Sequence, residues 1–286
     1  MISPGKEHAD TVSSMNTLAT AEADLGRFDE SEKLYLDAIA TQEKLSGPDH
    51  ALVLEVKANL AWMLYWAAMQ DKAIAAELKP QRLQRSRVLG EQVLDARKRV
   101  LGEDHPETLT TMNNLASTYR ALGIQDKADA LSRAELETSI RVLGEDHPDT
   151  ITSLANMGAS LRGQHKYEEA LPYLERAIRA SRKVLAPDNP GTAYALGWYG
   201  SCLTELGRYA EAEPPLLEAR AIAAKALGED NNITQHLSQS LATLYTDWNK
   251  AEPGKGFEVK ADEWKTKAAT HASASDQTQG QQQPRK

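Results

Sequence analysis

The residues best equipped for chemistry arrive as a phrase. Asp104, His105 and Glu107 stand in "VLGEDHPET" (100–108), and Asp146, His147 and Asp149 stand in "VLGEDHPDT" (142–150). Two carboxylates around an imidazole could hold a divalent cation or run general acid–base chemistry. The competing role is punctuation. Gly102 and Gly144 would end a helix, and Pro106 and Pro148 suit the first turn of the next one. Glu107 and Asp149 complement a positive helix N-terminus, while Asp104 and Asp146 are placed to cap exposed N–H groups. Other copies of the phrase decide between the two. "GPDHALV" (47–53), "APDNPGT" (186–192) and "GEDNNIT" (228–234) lose the histidine or the second acid. A required ligand set would not decay so freely, so the phrase reads as turn and cap, with no metal and no cofactor.

The remaining chemical signals are weaker. "GKGFEVKA" (254–261) has two glycines of a nucleotide loop but not the third, nor a flanking strand. There is no Gly-x-Ser-x-Gly, no His-Glu-x-x-His and no P-loop. Cys202 stands inside a helical apolar pattern and reads as a packed thiol. The chain is expected to be non-enzymatic.

Bulk properties exclude more. The chain has 286 residues, a formal charge of −8 and no lysine- or arginine-rich run, which argues against a nucleic-acid surface. One cysteine permits no internal disulfide and no cysteine-based zinc knuckle. The N-terminus has no basic region followed by an apolar run, so no signal peptide is expected, and the longest apolar stretch, "LAWMLYWAAM" (60–69), has 10 residues, where a membrane span needs about 20. A cytoplasmic protein without membrane insertion is expected.

The elements that position the phrase follow from its spacing. Gly102 to Gly144, Gly144 to Ala186, and Ala186 to Gly228 are each 42 residues, as is Gly5 to Gly47; only Gly47 to Gly102, at 55, is longer. Such a period marks a solenoid whose units bury their apolar faces against one another. Within each unit a large apolar residue precedes a small one: Leu18–Ala19, Leu60–Ala61, Leu115–Ala116, Met157–Gly158, Tyr199–Gly200 and Leu241–Ala242. Gly26, Gly123 and Gly207 follow seven residues after the small member. Small residues then recur seven apart, as in Ala170 and Ala177 or Ala212 and Ala219. Small residues let two helices approach and glycine ends the first of them, so each unit is a helix hairpin.

The "GEDHP-D/E-T" spacer together with "NNLA" (113–116) resembles the tetratricopeptide repeat in its 42-residue, kinesin-light-chain-like form. That form also occurs in bacterial signalling proteins. The resemblance covers about residues 5–268 and implies an all-α solenoid, a right-handed superhelix of about six hairpins: 5–46, 47–101 with an insertion around "AIAAELKPQRLQ" (73–84), 102–143, 144–185, 186–227, and 228–268 with an extended turn. The role of the insertion stays open. Residues 269–286, small and glutamine-rich, are expected to be disordered.

In this repeat class the first helix of each unit lines a concave groove that holds a peptide or a partner protein. Counting from the anchor residue, the resemblance places Asn16, Asn59, Asn113, Asn114 and Asn156 there, with Trp62, Trp66 and Trp198, and with Arg120 and Arg162. Thr17, Thr20, Ala23, Tyr65, Ser117, Ser201 and Glu205 share the same register. Two roles are open to the asparagines: gripping a peptide backbone or bonding neighbouring helices. The tryptophans are either an interface hot spot or inter-repeat packing, and the arginines would meet a carboxylate or a solvated face. Chaperone-binding relatives carry Lys five residues before the anchor. Ser13, Glu55, Thr110, Thr152, Tyr194 and His236 stand there instead, so a chaperone-tail receptor is not expected.

The expected function is a protein-interaction scaffold, with a protein or peptide as partner. The alternative is the regulatory or substrate-docking C-terminal arm of a bacterial Ser/Thr protein kinase or related signalling ATPase whose catalytic domain is absent from this chain. Partner identity and oligomeric state are left open.

Overall fold

A computed structural model of the protein describes residues 4–70 and 78–279. The chain divides into two compact units, Met1–Val142 and Leu143–Lys286. The first holds α1 (Pro4–Asp24), α2 (Phe28–Ser46), α3 (Ala51–Gln70), α4 (Leu78–Val100), α5 (Pro106–Ala121) and α6 (Gln125–Leu143). The second holds α7 (Pro148–Gly163), α8 (Tyr167–Val184), α9 (Pro190–Glu205), α10 (Tyr209–Leu227), α11 (Asn232–Ala251) and α12 (Phe257–Gln279). Among the described residues there is no strand, and no helix is long and apolar enough to cross a membrane.

Helices pair as hairpins because the small residues fall where two backbones must approach. Ala170 and Ala177 of α8, and Ala212 and Ala219 of α10, are fully buried. A Cβ on Gly158 would lie 2.4 Å from Leu174 Cγ, and one on Gly200 would lie 2.5 Å from Leu216 Cγ. The small member of each anchor pair therefore admits the second helix of its own hairpin. The large member packs the other way: Leu115 of α5 reaches α4, where a Cβ on Gly90 would meet its Cδ1 at 3.0 Å. Leu60, Leu115, Met157 and Leu241 are buried accordingly. Leu18 holds the same register but is 50% exposed, because within the described residues no hairpin precedes α1 to cover it.

The turn between the helices of a hairpin needs one left-handed residue. Gly26, Gly123 and Gly207 supply it with φ of 71 to 77°. The fourth hairpin has no glycine there, and His165 takes the conformation instead at φ 60°, a region that costs a side chain about 1–2 kcal/mol.

One part of the chain answers to a feature the sequence left open, and another differs from expectation. The insertion in the second hairpin goes partly into longer helices: α3 has 20 residues where α5, α7 and α9 have 16, and α4 has 23. Residues 73–77 of that insertion lie outside the described residues. At the other end, α12 continues to Gln279, past the point where the sequence suggests disorder. The alanines in "KAATHASA" favour helix strongly enough to propagate a helix already nucleated by packing. Residues 280–286 lie outside the described residues.

Candidate functional site

The repeated phrase is the first arrangement to inspect. The last four hairpins each start from a residue in extended conformation whose side chain receives a backbone N–H two positions on. In α5 and α7 that residue is histidine: His105 Nδ1 accepts from Glu107 N and His147 Nδ1 from Asp149 N, both at 3.2 Å. In α9 and α11 it is asparagine: Asn189 Oδ1 accepts from Gly191 N at 2.8 Å and Asn231 Oδ1 from Ile233 N at 2.9 Å. The cap is thus the histidine and not the preceding aspartate, which corrects the sequence expectation. The physical reason is position: the histidine immediately precedes the helix and the aspartate stands one residue too early, while an imidazole Nδ1 and an amide Oδ1 sit the same number of bonds from the backbone and both accept. This also accounts for the exchange of His for Asn between copies.

The aspartates have another occupation. Asp104 takes a bidentate pair from Arg141 at 2.6 and 2.8 Å. Asp49 pairs with Arg99 at 2.6 Å, Asp146 with Lys183, and Asp188 with Lys225 at 3.2 Å. The arginine of Arg141 holds the Asp104 carboxyl below the usual carboxylate range through that hydrogen bond. Among the described residues no three His, Cys, Asp or Glu side chains converge as a cation would require.

Three pockets lie between first helices of successive hairpins, and the same positions recur in their walls: five and one before the anchor in all three, joined in two of them by the position two after it. In the first unit a cavity of about 340 Å³ opens between α3, α4 and α5, bordered by Glu55, Asn59, Trp62, Arg97, Glu107 and Asn114. In the second unit, a cavity of about 390 Å³ between α7 and α9 is lined by Thr152, Asn156, Tyr194 and Trp198. A smaller one of about 180 Å³ between α9 and α11 is lined by Tyr194, Gly197, Trp198, Ser201 and His236. Tyr194 and Trp198, their ring centroids 5.6 Å apart, form the wall shared by these two.

The residues singled out from sequence divide by role. Asn59, Trp62 and Asn114 line the first-unit cavity, and Asn156 and Trp198 line the second-unit cavities. Trp62 is 43% exposed and stacks on Tyr65 at 5.0 Å. Asn16 is buried and structural: its Nδ2 donates to Glu55 Oε1 and its Oδ1 accepts from Asn59 Nδ2, both at 3.0 Å, tying α1 to α3. Trp66 meets Phe28 edge-on at 5.6 Å beside the first-unit core, and Ala23 belongs to that core. Asn113 is half-buried, as is Arg120, which donates to Ser132 Oγ at 3.4 Å. Burial depresses the Arg120 guanidinium, while Tyr65 and Asp129 act in the opposite direction.

Arg162 stands deeper than a solvated side chain would. Its Nε is buried and has no hydrogen-bond partner among the described residues. Its charge reaches neighbours: burial first, then Arg162, pushes the His236 imidazole down. Burial pushes the Cys202 thiol up to about 11 against the pull of Arg162, which keeps it a protonated, packed group.

Sequence reasoning passed over Tyr194, His236 and Glu55 as cavity-lining residues, although they share the register it used to exclude a lysine clamp. It missed Arg97 and Glu107 as well. Arg97 is 5% exposed, at a position that is Gln42, Ser139, Ser181 or Ala223 in the other hairpins.

Comparison with known proteins places this geometry. No curated protein matches the chain. Among solved structures, a kinesin-light-chain-like chain from Podosopora anserina with nearly identical TPR-like repeats shares 24% identity and a TM-score of 0.60, over 76% of this chain and 97% of that one. BtubC (BKLC) from P. vanneervenii shares 20% identity and a TM-score of 0.63, over 79% and 84%. A Rap protein complexed with Competence and Sporulation Factor shares 16% identity and a TM-score of 0.54, over 92% and 77%. These likenesses establish the fold. Tetratricopeptide-repeat family profiles match residues 11–52 and, in overlapping segments (75–137, 126–183 and 149–225), more than half of the chain. The chain therefore belongs to the tetratricopeptide repeat family.

Proposed function

We propose that the protein is an interaction scaffold that holds a peptide or an extended segment of a partner protein along the faces formed by its first helices. The observation that carries this reading is the pair of cavities on either side of the Tyr194–Trp198 wall. An extended chain presents successive side chains to alternating sides, and two adjacent pockets divided by an aromatic wall suit such a chain. Asn156 at one cavity offers an amide that both donates and accepts, suited to a peptide backbone. Aromatic side chains bring large contact area at small entropic cost. The Rap protein with the same fold was solved with Competence and Sporulation Factor, and this chain would use its fold in a comparable binding role.

The test is photo-crosslinking. A benzophenone amino acid placed at Trp198 is compared with one at Val184, an exposed position on a second helix. A partner captured from position 198 and not from 184 supports the reading. Capture from 184 alone would move the binding face to the second helices and overturn it.

A further inference from the structure

The first-unit cavity differs in chemistry from those of the second unit. Its wall carries the carboxylates of Glu55 and Glu107 and one guanidinium, that of Arg97. Arg97 is already engaged inside the protein: one terminal nitrogen donates to Glu107 O at 3.0 Å and to Thr111 Oγ1 at 2.8 Å, and the other pairs with Glu107 Oε2 at 2.8 Å. Its buried Nε has no acceptor among the described residues. Burial depresses this guanidinium, and Glu107 and then Glu55 act to restore its charge. Two acids against one buried and committed base leave the rim negative. The exposed face of Trp62, braced by Tyr65, stands beside them.

From this juxtaposition we infer that the cavity between α3, α4 and α5 is a subsite for a basic side chain, lysine or arginine, of the bound peptide. The inference rests on the peptide-groove reading above and adds the identity of one residue of the ligand. A cation entering here meets the half-exposed Glu107 carboxylate and that of Glu55, and lies within reach of an indole face. The space of about 340 Å³ accepts one long side chain and lies at the small end of ligand cavities. An anionic side chain would face two carboxylates while the local guanidinium is held by Glu107 and Thr111. In the second unit the register of Glu55 holds Thr152, Tyr194 and His236, with no acid, so Asp149, which stands where Glu107 does, has no second carboxylate of this kind beside it, and the paired acids belong to the first unit.

The experiment selects peptides from a random heptapeptide display library on the intact chain. The best binder is then synthesised with its basic residue kept or replaced by norleucine. Enrichment of Lys or Arg at one position is expected, and norleucine should weaken binding about tenfold or more, the size of a charge-assisted hydrogen bond. In Glu55→Gln, which keeps an acceptor for Asn16, that penalty should shrink. Thr110→Lys, which adds a cation at the rim and removes neither acid, should weaken the parent peptide and leave the norleucine peptide unchanged. Binders without a basic residue, or a penalty unaltered in both variants, would overturn the inference and leave the groove reading standing. A library that yields no binder at all would overturn both.

Discussion

Gly158 and Leu174 occupy one space: a Cβ on the glycine would sit 2.4 Å from the leucine's Cγ and 2.6 Å from its Cδ2. Leu174 is itself fully buried, so it has nowhere to retreat. Gly158→Ala should therefore destabilise the fold by about 1–3 kcal/mol, the usual range for overpacking. Gly163, in the last turn of the same helix, has nothing within 4 Å of its Cβ position. Gly163→Ala should be neutral or stabilising by up to about 1 kcal/mol through the unfolded chain's lost freedom. Thermal melts of the two variants would check this; equal losses would refute the packing account.

His165 supplies a second stability test. It holds a left-handed conformation where three other hairpins have glycine. His165→Gly should raise stability by roughly 1 kcal/mol, less whatever its contact with Tyr167, at 2.7 Å, contributes. A lowered melting temperature would show that this contact outweighs backbone strain.

The histidine caps predict a pattern of substitution. His105→Asn should leave stability nearly unchanged, because Asn189 and Asn231 make the same contact elsewhere. His105→Ala should cost about 1 kcal/mol. Denaturant titration of the two would separate a cap from a metal ligand, since a ligand role predicts a loss in both.

Alkaline pH should unfold the protein earlier than an average tyrosine would suggest. Tyr119 is pushed up to about 12 from the ordinary 10.0, by burial first and then by its hydrogen bond to Glu91. Tyr199 is pushed equally far by burial and by Glu175. A raised folded-state value means that the unfolded state loses its protons first. The stabilisation is complete below pH about 10 and is lost as pH climbs through about 12. Stability measured across that window should fall less steeply in the Tyr119→Phe, Tyr199→Phe double variant; an unchanged slope would contradict the assignment.

The tryptophans separate by stability alone. Trp66→Ala should cost about 2–3 kcal/mol, somewhat below the range for a fully buried ring, because it strips Phe28 and the first-unit core of cover. Trp62→Ala, at a 43% exposed position, should change stability by no more than about 0.5 kcal/mol. Urea midpoints of the pair would settle which ring is free to meet a ligand.

The hairpins were legible because their signal is steric and repeats. The small residue of each anchor pair lies under its partner helix, as the seven-residue spacing of alanines implies. What a letter does still depends on its neighbours: Leu18 and Leu60 share a register, yet one is half exposed and the other buried. The site was legible only as a register. Asn59, Trp62, Asn114, Asn156 and Trp198 line cavities, but Asn16 is consumed in bonding Glu55 and Asn59 of α3, and its sequence is no different from that of a cavity-lining amide. Arg97 was invisible because its contribution comes from a second helix, whose positions the repeat pattern assigns to packing. The cap was misassigned because aspartate is the commoner cap residue; nothing in the sequence tells that a basic residue 37 positions downstream has claimed it.

That downstream partner has a further meaning. Asp104 and Arg141 both fall between Gly102 and Leu143, Asp146 and Lys183 between Gly144 and Leu185, and Asp188 and Lys225 between Ala186 and Leu227. Even the longer second hairpin encloses its own pair, Asp49 and Arg99. Each of these spacer aspartates and its counter-charge are thus encoded in the same stretch of gene. A duplication copied from one spacer glycine to the next would carry the pair and the helix cap together, and would break neither in the neighbours it was inserted between. Recombination at the spacer glycines would therefore leave this pair and this cap whole, whereas the pairs that join neighbouring hairpins, such as Arg97 with Glu107 and Arg182 with Glu218, would have to be made anew at each junction.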